Sequence, residues 1–129
     1  MLNRSARNTS RTEGPSRAAS LTEVTSENLT AILAKRVMGW EVGPDRFLKG
    51  NRSWICRERF QPTKRMQDAH ELLMAADPAE FFLGGGKNKS FWAKVQIGGT
   101  HGKAGARTMP LAICLAIARA LGIEVEVRD

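Results

Sequence analysis

The stretch from Pro110 to Gly122, PLAICLAIARALG, constrains this chain more than any other. Its apolar residues run round the whole circumference of a helix instead of down one stripe, so the helix has to be enclosed on most sides. Thr108 supplies an N-capping hydroxyl ahead of it. Pro110 falls in the first turn, where a missing N–H costs nothing, and Gly122 ends it. No apolar run in the chain approaches the about 18 residues of a membrane span, so this helix belongs inside a globular body. A chain of 129 residues is enough for one such domain, and 42% apolar with 26% charged residues is the composition of a folded protein.

Strands are read ahead of that helix. From Ser90 to Ile97, Phe91, Ala93, Val95 and Ile97 share one face, and Trp92, Lys94 and Gln96 share the other. The glycine-rich turn Gly98-Gly99-Thr100-His101-Gly102 then leads to an antiparallel return over Lys103–Arg107. Ile123, Val125 and Val127 alternate with charged residues as a terminal strand. Upstream, Phe47-Leu48 and Ser53–Phe60 are expected to pair as a hairpin across Lys49-Gly50-Asn51-Arg52.

Two further helices complete the plan. Leu21–Met38 carries a stripe of Leu29, Ile32, Leu33 and Val37, with Thr25 or Ser26 as N-cap, or an earlier start at Ser20 with Glu23. Gly39 can take the left-handed C-cap, and Trp40 is placed to fold back on the helix end. The next helix is expected to start at Thr63 as N-cap, to carry Met66, Ala69, Leu73 and Ala76 at helical spacing with Leu72 beside them, and to stop at Asp77-Pro78. Phe81-Phe82-Leu83 is an apolar plug of unassigned type, and Gly84-Gly85-Gly86-Lys87-Asn88 reads as a flexible loop.

Residues 1–20 contain four arginines and one acid, and nothing larger than alanine is apolar beyond Met1 and Leu2. Such a segment cannot bury enough surface to offset roughly 1–2 kcal/mol of backbone ordering per residue. A disordered basic arm is expected there, with residues 21–129 as the single domain. The arm has no apolar core for a secretory signal, although its Arg- and Ser-rich composition is also that of an organellar transit peptide.

Three strings, KRVMGW at 35–40, FQPTKRMQDAHELL at 60–73 and RTMPLAICLAIARALG at 107–122, stand in this order of elements. Together they resemble the phage ABA sandwich domain, a family of small phage and prophage proteins, over about residues 26–122. The resemblance implies an α+β fold, a layered α-β-α sandwich with a small, mostly antiparallel sheet covered by helices. It implies no activity and carries over no catalytic or binding residue. It moves the expected compartment to the cytoplasm of a bacterial host and away from an organelle. Lys64-Arg65-Met66 after Pro62-Thr63 departs from the family's pattern.

Chemistry has little foothold in the motifs. A phosphate-binding loop needs G-x-x-x-x-G-K-[ST] between strand and helix. Here Asn88 follows Gly86-Lys87, Ala104 follows Gly102-Lys103, and neither spacing holds. His70 sits mid-helix with no second histidine four positions away, and His101 lies in the glycine-rich turn. Cys56 and Cys114 have no C-x-x-C spacing, so no metal or cofactor is expected, although partners for Cys56 could meet it in space. Asp68, Glu71, Asp77 and Glu80 read as a solvated face.

Charge is the one pattern above background. Residues 42–65 hold seven cations against two acids, residues 87–107 hold five against none, and residues 66–86 hold four acids and no cation. Trp54 and Trp92 lie within the basic blocks, and interleaved cations and aromatics suit phosphate contact with base stacking. The candidate nucleic-acid contacts are Arg46, Lys49, Arg52, Trp54, Arg57 and Arg59, with Lys87, Lys89, Trp92, Lys94, Lys103 and Arg107. The plainer reading is a lysine-decorated sheet edge that discourages aggregation. The expectation is therefore a non-enzymatic accessory or interaction protein with an unidentified protein partner, or else a nucleic-acid-binding module, and no membrane association.

Overall fold

The computed structural model describes residues 22–50 and 52–128. The order is β1 (Thr22–Val24), α1 (Ser26–Leu33), a π-helical turn (Ala34–Met38), β2 (Glu41–Val42), β3 (Arg46–Leu48), β4 (Trp54–Cys56), a 3₁₀ turn (Arg57–Arg59) and α2 (Met66–Ala76). There follow β5 (Glu80–Gly86), a second 3₁₀ turn (Lys87–Lys89), β6 (Ser90–Ile97), β7 (Thr100–Ala106), α3 (Met109–Ala120) and β8 (Val125–Val127). The class is α+β, with antiparallel sheets layered against helices. The expected arm over residues 1–20 lies outside the described residues.

The wholly apolar helix is the middle of the molecule. In α3, Ala112 through Ala118 and Ala120 are all buried. One side packs across β6 and β7, and the other meets α2 and, less extensively, α1. Thr108 caps it by accepting a hydrogen bond from the Leu111 N–H at 3.4 Å. The strand residues beneath it are small: Ala93 pairs with Ala104, and Val95 with Gly102. Gly102 is the closest approach, since a Cβ there would drive into the backbone of Ala116 and Ala120. Arg119 ties the two layers by donating to the Lys103 carbonyl at 2.8 Å.

The main sheet runs β5-β6-β7, all antiparallel. A second sheet runs β2-β3-β4, and β1 pairs in parallel with β8. The second sheet closes over an aromatic cluster. At the end of the π turn Gly39 is left-handed at φ 72°, and the Trp40 N–H donates to the Ala34 carbonyl at 3.1 Å. That reversal turns Trp40 back onto Phe47 and Phe60, at ring-centroid distances of 5.8 and 5.0 Å.

Several expectations change in the structure. Residues 22–24 are a strand, not the start of the first helix: Thr22 and Val24 pair with Val125 and Val127, and the helix begins after Thr25, whose hydroxyl accepts from the Asn28 N–H. The hairpin's second strand ends at Cys56 and coils into a 3₁₀ turn. Thr63 is not an N-cap. It is buried in a turn whose Lys64 and Arg65 N–H groups both donate to the Gln61 carbonyl at 2.9 Å, and α2 starts three residues later. Asp68 is not solvated but reaches back from the first helical turn to accept from the Gln61 N–H at 2.9 Å. The tri-glycine segment is not a loop: it is the second half of β5, paired residue by residue with Ser90–Trp92.

Replacing Gly102 by Ala is expected to be severe, because both the strand and the helix backbone would have to move apart. Overpacking of this kind costs typically 1–3 kcal/mol, and a loss in the upper half of that range is expected in a urea unfolding midpoint measurement.

Candidate functional site

Strand pairing divides the main sheet into two faces with opposite chemistry. Toward α3 point Phe91, Ala93, Val95, Gly102 and Ala104; the alternate residues point away, in rows that the register defines. One row is Glu80, Gln96 and His101. The next is Phe82, Lys94 and Lys103. The third is Gly84, Trp92 and Gly105. Among the described residues no helix or strand packs over this face.

Trp92 is laid down by its neighbours. Its indole lies across Gly84, where a Cβ would run into Cε2, Cζ2 and Nε1 of the ring. The residue is still 42% exposed, and Phe82 in the adjacent row is 51% exposed. Rows on one face are spaced by about 6.8 Å, two strand residues. An aromatic platform therefore sits one row from two ammonium groups.

Those ammonium groups are arranged unfavourably for the free protein. Lys94 and Lys103 are direct cross-strand partners, and like charges opposite one another destabilise a sheet. Neither has an ion-pair partner among the described residues, where the pairs are Arg46–Asp45, Arg65–Asp68 and Arg128–Glu23.

The hairpin cations are spent differently. Arg46 stacks on the Trp54 ring at 4.5 Å and bonds Asp45 at 3.2 Å, which holds the Asp45 carboxyl below its ordinary pKa and raises that of Arg46. Lys49 lies 5.3 Å from the Trp40 ring. Arg57 covers Phe47 at 5.3 Å and donates to the carbonyls of Gly43 and Glu27. Arg52 and Arg59 are exposed, Arg52 at a left-handed turn position with φ 71°. The sequence had grouped these residues with the sheet cations, but they lie on a separate sheet, and three of them are engaged within it.

Of the second block, Trp92, Lys94 and Lys103 come together on the open face, joined by Phe82 and His101, which lie outside the basic-block candidates. Phe82 stands in an unbroken apolar run, Phe81-Phe82-Leu83, followed by three glycines, so no period-two alternation marks its strand or its face. His101 is on β7, not in a turn. Lys87 stands exposed in the turn after β5, the Lys89 side chain lies outside the described residues, and Arg107 follows β7.

Elsewhere, a cavity of about 120 Å³ lies between the start of α1 and the hairpin, lined by Thr30, Phe47, Arg57, Phe60 and Gln61 among others. No histidine or cysteine faces it. Among the described residues, no three His, Cys, Asp or Glu side chains cluster as a metal site would need, and no helix is long and apolar enough to cross a membrane.

Residues 31–117 match the phage ABA sandwich domain. The chain belongs to that family. A crystal structure of a phage protein from Bacillus cereus ATCC 14579 is similar, with a TM-score of 0.68 over 80% of this chain and 93% of that one, at 16% identity. At that identity the likeness is one of fold. No curated protein matches the chain. The matched span of the ABA sandwich domain runs from α1 into α3 and so contains the whole main sheet and its open face, whereas β1 and β8 lie beyond it.

The two thiols of this ABA sandwich protein differ in environment. Cys114 is enclosed in α3, and burial pushes its thiol far above the usual range; Cys56 is half-buried on β4. In the native protein a thiol-reactive dye is expected to label Cys56 alone, and Cys114 only once denaturant opens the core. Equal native labelling rates would contradict the packing of α3.

Proposed function

We propose that this protein is a non-enzymatic phage or prophage accessory protein, acting in the cytoplasm of the bacterial host, whose working surface is the open face of β5-β6-β7. We further propose that the face binds single-stranded nucleic acid. The observation that carries the reading is the unneutralised Lys94–Lys103 pair beside the exposed Trp92 and Phe82.

The physical argument is one of compensation. A like-charge pair directly opposite across two strands costs stability, and an anion lying between the two ammonium groups turns that repulsion into attraction. A base stacks on an aromatic ring whatever its identity, which contributes about 1–3 kcal/mol per base. Phosphate and base of one strand can thus be met by adjacent rows of one sheet face. A duplex fits less well, because its bases are already stacked on one another and leave no free face for the indole. The non-enzymatic part is supported by dispersal of the reactive groups: Cys114 is in the core, Cys56 on β4, His70 on the exposed side of α2 and His101 on β7. An acidic protein segment could also meet the lysines, but it would leave the indole without a stacking partner.

The test is titration of a labelled single-stranded oligonucleotide across a salt series. Trp92→Ala is expected to weaken binding about 5–150-fold, the equivalent of one stacked base. Lys94→Gln and Lys103→Gln should each lower the salt slope by about 0.7. The double lysine variant should also unfold at slightly higher urea, by about 0.2–1 kcal/mol, because the repulsion is gone. Retention of no oligonucleotide even at low salt would overturn the nucleic-acid reading, and recovery of a nuclease-resistant protein complex through Lys94 would replace it with a protein partner.

A further inference from the structure

We propose that the free edge of β5 is a dimerisation surface, and that a second copy of the chain adds its own β5 there, antiparallel, about a two-fold axis at Leu83. The inference is independent of the nucleic-acid reading and rests on how the two edges of one sheet are treated.

β7 is a guarded edge. Lys103 and His101 lie on it, and Arg119 of α3 occupies the Lys103 carbonyl. β5 has no such protection. It pairs with β6 on one side and with nothing among the described residues on the other, over all of Glu80–Gly86. Natural edges are blunted by lysine, proline, bulges or brevity. From Phe81 to Gly86 there is no charge and no proline, and the register with β6 runs without a bulge. The strand's large residues are open on both faces: Phe82 on the outer one, and Phe81 and Leu83, 39% and 37% exposed, on the inner one where α3 scarcely reaches.

The sequence of β5 fits its own reverse. In an antiparallel pair, directly opposite residues share a face. A two-fold axis normal to the sheet keeps every residue on its own face, so the pairing must centre on a residue and not between two. Centring on Leu83 pairs all seven residues of β5. It sets Phe82 opposite Gly84, Phe81 opposite Gly85, Glu80 opposite Gly86, and Leu83 opposite itself. Each phenylalanine then lies opposite a glycine that carries a ring of its own chain: Phe82 comes beside the Trp92 indole laid over Gly84, and Phe81 beside the Phe91 ring laid over Gly85. The result is one six-stranded sheet with both open faces on the same side. The aromatic half of one strand thus meets the rings laid over the glycine half of the other.

The test is the oligomeric state of the full chain, free of nucleic acid and at high salt, so that its failure says nothing about the proposed ligand. Light scattering across the micromolar range should approach twice 14.2 kDa. Leu83→Lys, with an unchanged circular dichroism spectrum, should weaken the dimer at least about 30-fold, as loss of a central anchor does. In a Cys56→Ser background, Leu83→Cys should cross-link under mild oxidation, because opposite Cβ atoms lie about 5 Å apart. Gly86→Cys should not, since six positions of offset separate it from its copy by about 20 Å. If Leu83→Lys fails to fold, the cysteine pair decides. A native chain that stays monomeric, or cross-linking at position 86 as readily as at 83, overturns the proposal.

Discussion

Everything in this fold answers to the burial of α3. A helix apolar on every side has no solvent face, so the sheet has to take one side and α1 and α2 another. The closeness of the fit is set by side-chain volume. Gly102, Ala93 and Ala104 leave room for the helix backbone to come down onto β6 and β7, and Arg119 fixes the remaining freedom by reaching a β7 carbonyl. Because α3 covers only the β6–β7 side fully, β5 overhangs it. The exposed apolar edge is thus a consequence of how one helix sits, and the open outer face follows because the helices have all been drawn to the other side.

Patterns of long period were legible in the sequence, and features set by main-chain bonding were not. The three helices, the alternation of Ser90–Ile97, the return strand and the Gly39–Trp40 reversal all carry their signal in residues that end up in contact. Thr63 carried a capping signature, but the Gln61 carbonyl accepts from the Lys64 and Arg65 N–H groups and the Asp68 carboxylate accepts from the Gln61 N–H, which leaves that hydroxyl no capping role. Gly84-Gly85-Gly86 carried a loop signature, because glycine is usually read for conformational freedom. Here the first two glycines sit in extended backbone for lack of a Cβ: Trp92 and Phe91 occupy the space above them. Only a pairing partner reveals that, and no local window contains it.

The basic blocks teach a related lesson about charge. Counting cations along the chain placed Arg46, Lys49 and Arg57 with Lys94 and Lys103. In three dimensions the first three lie over aromatic rings on or beside the second sheet, and Arg57 also bonds two carbonyls. An arginine that covers an aromatic core contributes packing as well as charge. Lys94 and Lys103 cover no ring among the described residues. Their separation from the hairpin cations is what turns a diffuse positive charge into a defined row.

That row and the bare edge are both departures from what stability alone would select. A solvated sheet face without a ligand gains from alternating signs across strands, and an edge without a partner gains from a lysine or a proline. This sheet places lysine opposite lysine across β6 and the β7 edge, where the two ammonium groups repel, and leaves lysine off the β5 edge, where it would protect. The same residue type was available to the chain at both positions. Its presence at one and absence at the other fit the two contacts proposed for this sheet, one on the outer face and one along β5.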